Sequence, residues 1–180
     1  MSILSGPEII VQRAHGRILI DPFNVDQINP ASYDLRLGKK VLWYRNRLLD
    51  SASRNEVEEV EFPDSGHIIH SGRLYLMHTV ERIYTERFVP VLDGKSSVGR
   101  LGVQIHITAG YGDPGFDGQY TLEVICVHPV KLYPNMRIAQ MRFHQMEGRQ
   151  LSYKDSGHYK GEAAMGPVPS LSWKQFERKQ

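Results

Sequence analysis

The apolar positions of this chain fall in short bursts, not long stripes. Runs rich in β-branched and aromatic residues lie at Lys40 to Tyr44, Arg73 to His78, Arg82 to Tyr84, Val103 to Thr108, Gln119 to Val127 and Arg137 to Phe143. Gly, Pro, Asn or Asp punctuates the stretches between them. Short runs bounded by turn residues read as strands. Their number predicts a mostly β domain, a distorted barrel or jelly roll with a few short helices.

Two segments break the β rhythm. Ser5-Gly6-Pro7-Glu8 has capping-box spacing with Pro tolerated in the first turn, so a helix starts there and stops near Gly16. Ser96 or Ser97 can cap a second, short helix that ends at Gly102. From Tyr153 to Ser170 the chain holds five glycines or prolines and little apolar periodicity. That composition divides the chain into a main unit, 1–152, and a C-terminal lid or tail, 153–180.

A length of 180 residues suits one domain with a real core. No apolar run approaches a membrane span, and Met1-Ser2-Ile3-Leu4 leads into polar sequence, so neither a membrane segment nor a signal peptide is expected. The single cysteine, Cys126, leaves no internal disulfide and fits a reducing cytoplasm. It sits in Val124-Ile125-Cys126-Val127 and reads as a buried strand residue before it reads as a nucleophile. Net charge is +2 with the basic residues scattered, and Arg178-Lys179 reads as a solvated end. Nothing in that distribution calls for nucleic acid.

Candidate chemistry concentrates between Asp93 and Glu123. Lys95-Ser96-Ser97 at a helix start is an anion site in outline, since free amides, hydroxyls and an ammonium group all donate there. Arg100 returns one turn later and can fork onto a phosphate. The Walker A spacing is absent, and a capped helix with surface cations would show the same pattern. Glu123 lies in an apolar strand, where alternation puts Tyr120, Leu122 and Val124 on one face and Thr121, Glu123 and Ile125 on the other. A carboxylate there needs a partner or a function, and burial would raise its pKa into a range useful for proton transfer. Asp113, before Pro114-Gly115, fits an ordinary turn as well as a site. His106 reads as a hydrogen-bonded core or pocket histidine. The zinc-deaminase and zinc-hydrolase spacings and the Gly-x-Ser-x-Gly elbow are missing.

Taken in order, Gly94-Lys95-Ser96-Ser97-x-x-Arg100-Leu101-Gly102, His106-x-Thr108-Ala109, Asp113-Pro114-Gly115 and Thr121-Leu122-Glu123 resemble the dCTP deaminase branch of the trimeric dUTPase superfamily. Pro30 to Gly38, Pro134 to Gln140, Tyr159-Lys160-Gly161 and Gly166-Pro167-x-Pro169-Ser170 extend the resemblance almost end to end.

The resemblance implies a barrel-like jelly roll and a homotrimer whose active sites form where subunits meet. It implies a hydrolase that cleaves a cyclic amidine C–N bond, taking dCTP or a dUTP-like nucleotide with Mg2+ carried on the triphosphate and no zinc, in the supply of dTTP precursors. Lys95, Ser96, Ser97 and Arg100, with the intervening Val98 and Gly99, would hold the triphosphate. Asp113 would contact the deoxyribose or order water, Thr121 and Leu122 would flank the base, and Gln140 and Tyr153 would line the site. Glu123 would activate water for attack at cytosine C4, with Ser96, Arg100 and the Ala109 carbonyl positioning that water.

Ala109-Gly110-Tyr111 matches the bifunctional members, which go on to dUMP, and not those that stop at dUTP. A plain dUTP pyrophosphatase is the other alternative, and it would lack Thr121-Leu122-Glu123. In the tail, His158 and Glu162 stand where relatives often carry Lys and Gln, so the phosphate and base contacts there are expected to differ.

Overall fold

The computed structural model describes residues 2–177, so Arg178 and Lys179 lie outside it. Helix α1 (Gly6–Ala14) starts as its sequence dictates, with Ser5 Oγ accepting from the Glu8 amide at 3.3 Å. Glu8 turns to Gln12 and does not close the capping box. Ile9 is the fully buried residue of this helix, and it docks α1 on the core.

Strands β1 (Leu19–Asp21), β2 (Ile28–Asn29) and β3 (Ser32–Arg36) follow, then β4 (Lys40–Tyr44), β5 (Val57–Glu61) and β6 (His67–Ile69). Next come β7 (Tyr75–Tyr84), β8 (Phe88–Gly94), the one-turn helix α2 (Ser96–Gly99) and β9 (Val103–Gln104). The chain continues through β10 (Asp117–Cys126), β11 (Val130–Leu132), β12 (Arg137–Gln145) and α3 (Tyr153–Ser156). β4 matches its predicted run residue for residue. The runs at Arg73 to His78 and Arg82 to Tyr84 belong to one long strand, β7.

β7 is the spine of a six-stranded sheet ordered β5-β4-β7-β10-β9. β10 runs antiparallel along one edge of β7, while the other edge is shared by β4 at Leu76 and β1 at Arg82 to Tyr84. A four-stranded sheet, β2-β3-β12-β8, and a two-stranded antiparallel sheet, β11-β6, complete the fold. Tyr33, Leu35, Met77, Ile83, Leu122 and Phe143 are fully buried, so residues from both large sheets fill one core.

The mostly β expectation holds, but the barrel and jelly-roll expectation does not. No sheet closes, because each strand order ends on two different edge strands. Closure needs an unbroken ladder, and the ladders here stop early. The run from Val103 to Thr108 pairs with β10 only at Val103 and Gln104. The next positions leave the sheet, and the Ile107 amide goes instead to the Glu123 carboxylate. β10 also slips register between Gln119 and Thr121, and β12 slips between Arg137 and Ala139.

Among the described residues two carboxylates, Glu81 and Asp34, are buried, and both are paired, as their burial requires. Glu81 accepts from the Arg36 Nε at 2.7 Å, the Arg36 amide at 2.8 Å and Gln27 Nε2 at 3.0 Å. Asp34 accepts from Asn29 Nδ2 at 2.8 Å and from Lys95 Nζ at 2.7 Å on each oxygen. Cys126 is buried in β10, as expected, and burial pushes its thiol pKa up. Among the described residues no helix is long and apolar enough to cross a membrane.

Candidate active site

A cavity of about 440 Å³ opens on the β10 side of the large sheet. This volume lies in the range of sites that enclose small ligands. β10 supplies Gln119, Tyr120, Thr121 and Glu123; the loop after β9 supplies Ala109 and Tyr111 to Asp113, with Phe116 beyond. Tyr44, Leu74 and Leu76 form the wall behind Glu123.

Glu123 is half-buried, and its Oε2 accepts from the Ile107 amide at 2.8 Å. Oε1 has no protein partner among the described residues, which leaves it open to the cavity. The carboxylate therefore terminates the β9–β10 ladder and fixes the loop that carries Ala109. That loop then runs along the β8 edge, where the Leu92 amide donates to the Gly110 carbonyl at 2.6 Å and the Gly112 amide to Pro90 at 2.7 Å.

The bulge in β10 falls on Tyr120. It breaks the predicted alternation, so that Tyr120 lines the cavity with Thr121 and Glu123 while Leu122 and Val124 enter the core. Bulges commonly re-aim a side chain in this way beside active sites. The bulged amide donates to Thr79 Oγ1 at 2.9 Å. The Tyr120 ring meets Phe116 edge-on at 5.0 Å, and its hydroxyl is buried with no hydrogen-bond partner among the described residues. Burial raises its pKa further, so the phenol stays protonated. Gly112 has to be glycine here, because a Cβ would sit 2.3 Å from the Tyr120 hydroxyl.

The C-terminal segment covers the cavity and is tied down mainly through its own backbone. The Tyr153 amide donates to Pro114 O at 2.8 Å, Tyr159 to the Tyr153 hydroxyl at 3.0 Å and Val168 to Thr121 Oγ1 at 3.1 Å. Ser170 donates to the Tyr44 hydroxyl at 2.9 Å and Leu171 to the Tyr159 hydroxyl at 3.2 Å. Lys154 Nζ adds a side-chain anchor, 2.9 Å from Glu86 and 2.7 Å from the Tyr84 hydroxyl. Those two bonds hold the Lys154 pKa above its usual value, and the bond from Lys154 together with the one from the Tyr84 hydroxyl holds that of Glu86 below.

Of the residues singled out in the sequence, Glu123, Asp113, Ala109, Thr121 and Tyr153 come together around this cavity. The phosphate-type cluster does not join them. Ser96, Ser97, Gly99 and Arg100 stand exposed at α2, away from the cavity, and Val98 is a buried core residue. Neither predicted serine caps α2: Lys95 holds the N-cap position, without a side-chain cap bond. Lys95 itself is committed to Asp34. Gln140 braces the approach to α2, accepting from Ser32 Oγ and donating to Gly94 O, both at 3.0 Å. Leu122 is fully buried on the core face. His158 does not line the cavity, and the side chain of Glu162 lies outside the described residues. His106 is half-buried, and its Nδ1 lacks the hydrogen bond expected of it.

Tyr44, Phe116, Tyr120 and Tyr159, which no motif singles out as site residues, line the cavity beside Tyr111 and Tyr153. The clustering of aromatics at Tyr111, Phe116 and Tyr120 around a Gly-rich loop was the available signal. Asp34, the anchor of Lys95, sat in plain view within Pro30 to Gly38. Among the described residues no three His, Cys, Asp or Glu side chains gather as a metal set.

A family model described as dCTP deaminase-like matches residues 3–146. A dCTP deaminase, dUMP-forming, of Hathewaya histolytica is 47% identical over 175 residues, covering 97% of this chain and 99% of its own. The protein of the same name from Cytophaga hutchinsonii is 43% identical over 176 residues, with 98% and 99% covered. A solved structure of 2'-deoxycytidine 5'-triphosphate deaminase from Agrobacterium tumefaciens shares the fold, with a TM-score of 0.63 and 24% identity over 80% of this chain and 48% of that one. With nearly its whole length matched at this level of identity, the chain belongs to the dCTP deaminase family, in its dUMP-forming branch.

Proposed function

We propose that this protein hydrolyses the 4-amino group of dCTP and then releases pyrophosphate, leaving dUMP. The observation that carries the reading is Glu123, a carboxylate held by one oxygen on the Ile107 amide and open to the cavity through the other. A base so oriented can take a proton from water as that water adds to cytosine C4. The same carboxylate then delivers protons to ring N3 and to the departing amine, so that dCTP and water give dUTP and ammonia. A second water at the α-phosphorus gives dUMP and pyrophosphate. Ala109, beside Glu123, offers its carbonyl to the attacking water, and Asp113 faces the sugar.

The triphosphate would be held by Ser96, Ser97 and Arg100. These are exposed and stand off their own cavity, which supports a homotrimer in which a neighbouring copy brings them to the nucleotide. Exposed hydroxyls and a guanidinium can then meet charge at an interface. Mg2+ belongs to the substrate in this reading, riding on the phosphates. The C-terminal segment acts as the lid, closing the cavity so that water enters only where Glu123 and Ala109 receive it. The setting is the cytoplasmic deoxynucleotide pool, where Cys126 stays reduced.

Incubation of the purified protein with dCTP and Mg2+, with products resolved by chromatography, tests the reading. Ammonia, dUMP and pyrophosphate in equal amounts are expected. Accumulating dUTP would restrict the enzyme to deamination, and hydrolysis of dUTP with no turnover of dCTP would overturn the deaminase assignment.

A further inference from the structure

A second cleft, about 700 Å³, lies on the far side of Tyr44 and Leu74, which form a wall common to it and to the nucleotide cavity. The loop after β4 contributes Arg45, Asn46 and Arg47, and the turn before β7 contributes His70, Ser71 and Arg73. Three arginines bring three formal positive charges into one concavity, whereas the entire chain has a net charge of +2. No carboxylate lines it, and none of the three arginines has a carboxylate partner among the described residues.

Two acids stand near without lining the cleft: Glu56, whose carbonyl accepts from the Arg45 amide at 3.1 Å, and Asp50, which is turned into its own loop. Its carboxylate accepts from the Ala52 amide at 2.9 Å and from Ser53 Oγ at 2.7 Å, and these bonds hold its pKa below the usual range. The cleft is also built before any ligand arrives. Asn55 ties the loop through Asp50, donating to its carbonyl at 2.8 Å and accepting from its amide at 3.0 Å. The Tyr75 hydroxyl accepts from the His70 amide at 3.0 Å, and Arg73 lies over the Trp43 ring at 5.5 Å. Guanidinium groups without carboxylate partners, Arg73 braced on Trp43, stand beside amide and hydroxyl donors and make a match for a multiply charged oxyanion.

We propose that this cleft is a second binding site, for a condensed phosphate, separate from the nucleotide cavity. Pyrophosphate as its natural occupant rests on the reaction proposed above, which releases it; the site itself rests only on the arginines. The C-terminal segment reaches the same loop, with Ser172 Oγ donating to Ser51 O at 2.8 Å, so an occupant would sit under the end of the segment that covers the nucleotide.

Calorimetric titration of inorganic pyrophosphate into the Ser96→Ala/Arg100→Ala protein, which lacks the phosphate grip assigned to the nucleotide site, tests the cleft. Binding is expected to persist, to weaken roughly tenfold or more in the Arg45→Ala/Arg47→Ala/Arg73→Ala variant, and to weaken likewise in the single Arg47→Glu variant. Loss of binding in the Ser96→Ala/Arg100→Ala protein, or affinity unchanged by both sets of cleft substitutions, overturns the proposal. ATP in a parallel titration reads the source of the phosphate: binding of both ligands supports a condensed-phosphate site, and binding of ATP alone overturns it. Turnover of dCTP is read separately, so a failure of the proposed reaction is seen apart from this one.

Discussion

Glu123 Oε2 receives the Ile107 amide at 2.8 Å, at the point where the β9–β10 ladder would otherwise continue. One carboxylate thereby ends a strand pair, positions the loop bearing Ala109 and presents its free oxygen to the cavity. In Glu123→Gln the amide oxygen can still accept from Ile107 while the base is gone. Ammonia release should fall by at least about a thousandfold with dCTP affinity within a few-fold of wild type. Single-turnover kinetics with a parallel binding measurement decides it, and retained deamination would remove Glu123 from its assigned role.

Lys95 presents a different case, because the group expected to grip phosphate is already taken by buried Asp34. Breaking a buried pair on one side is destabilising by about 3 kcal/mol, since the other charge is stranded. Asp34→Asn and Lys95→Met should each lower the urea midpoint, and the double variant should lose clearly less than the sum. If Lys95→Met changed only the KM for dCTP and left the midpoint alone, Lys95 would be a phosphate ligand and not a brace.

Gly112 and Tyr120 form a matched pair across the bulge. Gly112→Ala places a methyl against the Tyr120 hydroxyl and should destabilise the protein by about 2 kcal/mol. Tyr120→Phe removes an oxygen that has no partner among the described residues and should be tolerated, and in that background the alanine should cost less. Thermal melts of the four proteins measure the coupling; additive effects would mean the loop simply shifts away.

His78 supplies a pH dependence. It is buried, with Nδ1 donating to Thr79 O at 2.9 Å and Nε2 accepting from the Lys40 amide at 3.3 Å, an arrangement only the neutral ring satisfies. Burial accordingly lowers its pKa below the usual histidine value. The unfolded chain takes up the proton first, so this contribution to stability is complete above about pH 6.5 and is lost as pH falls through the lower folded value. The melting temperature should drop as pH falls below about 6.5, and His78→Asn should flatten that drop while lowering the plateau. An equally steep drop in the variant would assign the effect to other groups.

The parts of this fold that could be read from sequence were those decided locally. α1 follows from Ser5 and Glu8, and β4 from an apolar run with turn residues beyond it. Glu123 announced itself as an acid in an apolar strand. β7 was read as two pieces because Glu81 interrupts the apolar pattern, and its burial depends on Arg36 and Gln27 from distant strands. The run from Val103 to Thr108 looked like a strand throughout, but a side chain claims the Ile107 amide before the ladder can extend. Alternation groups Tyr120 with Leu122 and Val124 because it cannot register a one-residue bulge, and whether a sheet closes depends on pairings no local pattern contains. The pairing of Lys95 with Asp34 joins residues 61 positions apart, and neither one signals it alone.

The C-terminal segment is secured over the cavity mostly by main-chain amides reaching tyrosine and threonine hydroxyls and the Pro114 carbonyl. Such a clasp reads no side-chain identity along much of the strap it holds. Residues such as His158 can therefore be exchanged while the strap keeps its path, whereas proline at a donating position or loss of the Tyr153 or Tyr159 hydroxyl would loosen it. The sequence of the strap between its anchor points is thereby free to vary without redrawing the β scaffold beneath it.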